Sequence, residues 1–262
     1  MTSSLTFLKI LGTITLVIIM IFRLDRFISN QCGQYSRSDV KAMIKKRQIL
    51  VNGKNATDSG MKINTDTDTV ICKGETVIYK EHIYIMLNKP QGVVCSTRDG
   101  KSPTVLSLVP KELYRDGLFP AGRLDKDTEG FVLITDDGDL AHRMLSPKSH
   151  VEKEYYARLA RPFEESYKAQ FENGIRLDEE TLCLPAQIFA VQGEECACRI
   201  ILHEGMFHQV KRMMEAVGNE VVYLRRDRIG NLRLCEKLAL GDCLEIMHKE
   251  DIELLCPNCS IG

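Results

Sequence analysis

The chain has 262 residues, of which 44% are hydrophobic and 27% charged, enough to bury one full core and a small second one. A formal charge of −1 excludes a globally basic polyanion binder, so any affinity for nucleic acid must come from local charge. Ten cysteines, scattered through apolar strand-like segments, exclude a small disulfide-stapled scaffold and fit a reducing compartment.

The first apolar run, "ILGTITLVIIMIF" at residues 10–22, is shorter than the roughly 20 residues a membrane-spanning helix needs. It also lacks a small-residue cleavage pattern. It reads as an upstream extension, with Met20 as a later start, or as a weak anchor that leaves the rest of the chain cytoplasmic. Leu24, Phe27 and Ile28 then stand at i, i+3, i+4 and predict a helix closed by Cys32-Gly33. Ser36 or Ser38 starts a second helix, with Val40, Met43 and Ile44 as its apolar stripe. Residues 49–51 predict a strand, and Asn52-Gly53 a tight hairpin turn. Residues 23–62 hold nine basic side chains against three acidic ones. Among them Arg37, Lys41, Lys45, Lys46 and Arg47 are candidates to face a phosphate backbone, with a merely solvated helix face as the alternative.

Beyond Lys80 the composition changes to strands alternating with turns. "IYIMLNKPQGVVCST" predicts a strand entering a Pro-Gly turn, and residues 131–135 a buried strand that Asp137-Gly138 turns into a helix ending at Leu145. "EKEYYARL" and "CACRIIL" predict further strands, residues 164–173 a helix, and "MFHQVKRMMEAVG" an amphipathic helix stopped by Gly218. The order implies an α+β domain with a mixed, mostly antiparallel sheet.

The stretch "GRLDKDTEGFVLITDDGDLAHRMLSP" concentrates five aspartates and a glutamate. Asp125, Asp127, Glu129, Gly130, Val132 and Asp136 fall on the positions of a calcium loop, but Gly and Pro before it and a strand after it deny that loop its two helices. A glycosidase-like pair of Asp125 and Asp127 remains open, as does a purely structural role for acids that cap and solubilise a turn. "HEGMFH" is not a zinc-protease motif: His203 and His208 are five apart, which sets them roughly 140° apart on a helix. Cys256 and Cys259 form a CxxC without a matching second pair, and are read as two surface thiols rather than a metal site.

The basic block resembles the S4 RNA-binding module through "RLDRFISNQ", "SRSDVKAMIKKRQILVNGK" and "VICKGETV". "GRLDKDTEGFVLITDDG" resembles the signature of the pseudouridine synthases that act on ribosomal RNA. "LNKPQGVVCS", "KEYYARL" and "EGMFHQVKRMMEAVGNEVVYLRRDRIG" stand around it in that family's order. The resemblance runs from Arg23 to about Ile246. It implies an N-terminal extension over 1–22, an S4-like domain over 23–80, a catalytic domain of mixed, mostly antiparallel sheet with flanking helices over 81–250, and a tail over 251–262. It also implies cofactor-free and metal-free chemistry on an Asp125 carboxylate. Lys211 would be its basic partner, Tyr155 the ring that stacks on the target base, and Arg123 the residue that holds RNA with the base turned out. Tyr156 would face the other side of the strand. The motifs look most like the branch that modifies one uridine of 16S rRNA, position 516 in bacterial reference numbering. A branch acting on 23S rRNA and an inactive S4-type RNA binder stay open. The partner implied is ribosomal RNA or a pre-ribosomal particle, met by a cytoplasmic monomer without stable membrane association.

Overall fold

The structure, a computed structural model, describes residues 4–10 and 13–257 and divides into two compact units. Cys259 and the end of the tail lie outside the described residues. One unit comprises Met1–Glu81 with Pro110–Asp116, the other His82–Val109 with Gly117–Gly262.

In the first unit, β1 (Ser4–Ile10) and β2 (Thr13–Ile19) pair antiparallel within the stretch considered above as an extension or anchor. Among the described residues no helix is long and apolar enough to cross a membrane. From β3 (Ile21–Arg23) onward the chain is built into the unit, because β3 pairs with β6 (Lys62–Asn64) and the Met20 carbonyl accepts from Thr65 N at 3.2 Å. Between them, α1 (Leu24–Gln31) ends at Cys32, and α2 (Arg37–Lys45) starts on a reciprocal Ser36–Asp39 capping box. Helix spacing turns Val40, Met43 and Ile44 inward onto Leu24, Phe27 and Ile28. The polar side of α2 and the turn after it leave Arg37, Lys41, Lys45, Lys46 and Arg47 exposed. β4 (Ile49–Val51) and β5 (Lys54–Asn55) form the hairpin on Asn52-Gly53, whose φ angles of 51° and 75° are those the tight turn demands. β7 (Val70–Cys72) and β8 (Glu75–Thr76) complete that sheet. Arg115, from the outlying segment, ties itself to this unit by donating to the Lys80 and Glu81 carbonyls, each at 3.0 Å.

The second unit is organised by one large sheet. Its strands are β9 (Tyr84–Lys89), β10 (Phe119–Ala121), β11 (Glu129–Thr135), β12 (Lys153–Leu159), β13 (Gln187–Val191), β14 (Glu194–Leu202), β15 (Val221–Ile229), β16 (Leu232–Arg233) and β17 (Cys243–Glu245). The spatial order is β13-β14-β12-β15-β11-β9-β17, antiparallel except between β11 and β15, so the sheet is mixed and mostly antiparallel. The α-helices that accompany it among the described residues are α3 (Gly138–Leu145), α4 (Ser166–Glu172), α5 (Gln209–Ala216) and α6 (Lys249–Leu254). Burial of Phe131, Val132, Leu133 and Ile134 to zero exposure explains why β11 reads as an unbroken apolar run.

Three differences from the sequence reading stand out. Helix α5 begins at Gln209, because His208 adopts a left-handed backbone (φ 49°) and residues 206–208 form a turn. Strand β15 is invisible to apolar periodicity: Arg225, Arg226, Asp227 and Arg228 look like a surface run, yet the last three are buried through ion pairs and hydrogen bonds. Cys256, read as a surface thiol, is buried beside Leu255 in the core cluster under α3.

Candidate active site

The site forms where the loop of residues 122–128 enters β11. Neighbouring strands are in register there, so that Lys89, Gly130, Arg226, Tyr155 and Ile200 lie in one row across β9, β11, β15, β12 and β14. Gly130 (φ 102°) lets the Arg226 backbone approach so closely that a Cβ would press into it, which is why the motif carries glycine here.

Two buried cations hold the loop by its carbonyls. Lys89 is fully buried, and its ammonium donates to the carbonyls of Pro90 (3.1 Å), Asp125 (3.0 Å), Lys126 (3.3 Å) and Thr128 (2.8 Å). Burial pushes the Lys89 pKa down, opposed by Cys95 and the carboxylates of Asp127, Asp125 and Glu129. Arg226, 4% exposed, donates from Nε to the Phe131 carbonyl at 2.8 Å and from a terminal nitrogen to the Arg123 carbonyl at 3.5 Å. The backbone on both sides of Asp125 is thus fixed by groups that make no claim on its carboxylate.

Asp125 itself is half-buried, its side chain 25% exposed. His208 Nε2 lies 3.6 Å from one carboxylate oxygen and Lys211 Nζ 3.8 Å from the other, both beyond hydrogen-bond distance. Among the described residues no donor is bonded to either oxygen. Lys211, on the first turns of α5, gives its close contacts to Asp127, at 2.6 and 2.8 Å. The hydrogen bond from Lys211 holds the Asp127 carboxyl below the usual range, against a smaller opposing effect of burial. Lys211 therefore bridges the two carboxylates instead of serving Asp125 alone. Asp127 in turn removes the ordinary salt bridge considered for Arg123, and Glu129 accepts from the Tyr223 hydroxyl at 2.6 Å. Arg123 stays exposed, without an ion pair among the described residues.

The remaining acids of the motif have structural work. Asp136 accepts from Ile83 N at 3.0 Å, while Asp137 caps α3 through Leu140 N (2.8 Å) and takes the Tyr84 hydroxyl (2.7 Å). Tyr155 is 7% exposed on one face of β12, and Tyr156 on the other face donates to Glu194 at 2.6 Å. Sequence reasoning missed His208 and Lys89. The first was weighed only as a zinc ligand, and the second carried no signal beyond its place before the Pro-Gly turn.

A mixed sheet that presents an under-bonded carboxylate between a lysine and a histidine, with a basic two-helix module earlier in the chain, fits an enzyme that acts on a polyanion. The comparisons give the family. Residues 83–216 match the family model described as RNA pseudouridylate synthase, and residues 22–70 match the S4 domain. A Bacillus subtilis protein, uncharacterized RNA pseudouridine synthase YtzG, is 43% identical over 230 residues, covering 87% of this chain and 96% of its own. Ribosomal small subunit pseudouridine synthase A of Escherichia coli is 39% identical over 229 residues, covering 87% and 97%. A solved structure described as a pseudouridylate synthase is 38% identical with a TM-score of 0.62, over 89% of this chain and 99% of that one. The chain belongs to the RNA pseudouridylate synthase family and carries an N-terminal S4 domain.

Proposed function

We propose that this enzyme isomerises one uridine of ribosomal RNA to pseudouridine in the cytoplasm, that the RNA is 16S, and that the uridine is the one at position 516 in bacterial reference numbering. The choice of RNA is supported by relatives of 38–40% identity named for the small ribosomal subunit. The reaction breaks the bond from the sugar to N1 of uracil, forms one to C5, and moves the C5 proton away while N1 regains one. It is redox-neutral, and no cofactor is called for.

The observation that carries the reading is the Asp125 carboxylate: its backbone is clamped, its oxygens accept no hydrogen bond, and Lys211 and His208 stand just beyond hydrogen-bond distance. A carboxylate so placed is free to act on the extruded nucleotide, with positive charge beside it. Lys211 supplies that charge. Tyr155 stacks on the uracil, and Arg123 grips the RNA with the base turned out. Arg37, Lys41, Lys45, Lys46 and Arg47 contact the backbone of the substrate.

Because the C5 hydrogen is released, small-subunit RNA tritiated at C5 reports turnover directly. We expect release by the wild-type protein and none by Asp125→Ala. Release only from 23S rRNA would move the substrate to the large subunit. No release from either RNA, free or in assembling particles, would leave an S4-type binding protein.

A further inference from the structure

Consecutive side chains point apart on a strand and about 100° apart on a helix, so two neighbouring rings rarely stack. Phe207 and His208 do: their centroids are 3.8 Å apart and their planes 17° from parallel. The left-handed backbone at His208 folds the two rings together. The turn that carries them is braced, since Gln209 accepts from Met206 N at 2.9 Å and donates at 2.6 Å to Glu204, which also accepts from Leu184 N at 2.9 Å. One ring of the stack points at the site, with His208 Nε2 3.6 Å from Asp125. The other is left in water, for Phe207 is 71% exposed, the most exposed of the large hydrophobic side chains among the described residues.

A phenyl ring this exposed adds little to the core, and its flat outer face is held rigid at the rim of the catalytic loop. The loop that His208 faces exposes two cations, Arg123 and Lys126. An exposed aromatic face stacked on a histidine that faces this loop suits an unpaired nucleobase, which gains by stacking whatever its identity, and the loop's exposed cations suit its phosphate backbone. We propose that the Phe207–His208 stack is a platform for an unpaired base flanking the target uridine, holding the strand open next to Asp125. The inference rests on RNA being the substrate and adds where the neighbouring nucleotide goes.

The protein contains no tryptophan, so Phe207→Trp introduces a single indole reporter. Its emission should be quenched, saturably, by a 16S rRNA fragment carrying the target uridine in an unpaired loop, and not by the same fragment annealed to its complement. Phe207→Ala should raise Kd for that fragment and KM for tritium release by about tenfold, kcat changing by less than about threefold, and Phe207→Tyr should restore both. An unchanged Kd in Phe207→Ala, with indole emission indifferent to saturating RNA, overturns the platform while leaving the proposed reaction intact. A response to ribosomal protein but not to naked RNA overturns it equally. If the wild-type releases no tritium yet binds the fragment through Phe207, the platform stands and the proposed reaction fails.

Discussion

Two carboxylates of the same sheet unit, Glu154 and Asp125, are treated in opposite ways. The Glu154 side chain is 6% exposed and accepts from Arg199 at 2.9 Å, Arg228 at 2.9 Å and Arg233 at 3.0 Å, while neighbouring Asp227 binds Arg199 and Arg225. Burial opposes ionisation of Glu154, but the guanidinium hydrogen bonds win and hold its pKa below the usual range. Asp125 is four times as exposed, and its nearest basic groups, His208 and Lys211, stand 3.6 and 3.8 Å away. Every lone pair used inside the protein is one fewer for a substrate. A saturated carboxylate stabilises, whereas an unsaturated one on a clamped backbone is available for chemistry.

The contrast breaks most sharply by exchanging the loss. Asp125→Ala should reduce tritium release by at least about 10³-fold with little change in thermal unfolding. Glu154→Ala removes the shared partner of three arginines, of which Arg199 keeps Asp227 and Arg228 keeps Glu152, and should cost about 1–3 kcal/mol in denaturant unfolding, while the protein that remains folded turns over normally. The Glu154 contribution is present above its unfolded pKa of 4.5 and lost as pH falls through the lower folded value, so the penalty of Glu154→Gln should shrink in acid. If Asp125→Ala unfolds the protein, or Glu154→Ala abolishes turnover without destabilising it, the distinction fails.

A smaller effect sharpens the role of the bridging cation. Lys211→Met should lower the rate about 10²-fold, and Lys211→Arg should keep most of it, because charge rather than lysine geometry is what Asp125 and Asp127 share. Full activity of Lys211→Met in the same assay would remove the electrostatic argument.

The smallest expected change concerns Lys153, which faces the same side of β12 as Tyr155 and is 8% exposed. Burial, aided by Arg226, pushes its pKa from 10.5 to about 8. Between these values the unfolded chain binds the extra proton, so this group makes stability rise with pH over that window. Lys153→Met should therefore stabilise the protein at pH 7, by about 2 kcal/mol, and flatten the rise between pH 8 and 10.5 in urea titrations. A loss of stability at pH 7 would contradict the burial argument.

Much of the local structure was legible. The apolar spacing of Val40, Met43 and Ile44, the Ser36 cap, the Asn52-Gly53 turn and the unbroken run in β11 each depend on neighbours a few residues away, and each forms as read. The start of α5 was not legible, because the left-handed His208 sits in a turn braced through Gln209, Glu204 and Leu184 rather than following from propensity. Nor was β15, whose Arg226 and Arg228 are buried only because the Phe131 carbonyl and Glu154 are waiting on adjacent strands.

By itself the sequence determined the helices, strands and turns that local pattern defines and that basic charge gathers before residue 62, while its resemblance to a family pointed to the motif expected to carry the chemistry. Short-range sterics, capping and periodicity suffice for the local elements. Only the tertiary structure decided that Asp136 and Asp137 are structural, that Lys211 closes on Asp127, that Lys89 disappears beneath the loop and that Asp125 is left unbonded. Hydrogen bonding and desolvation act through space over a few ångströms, between residues that are tens of positions apart in the chain.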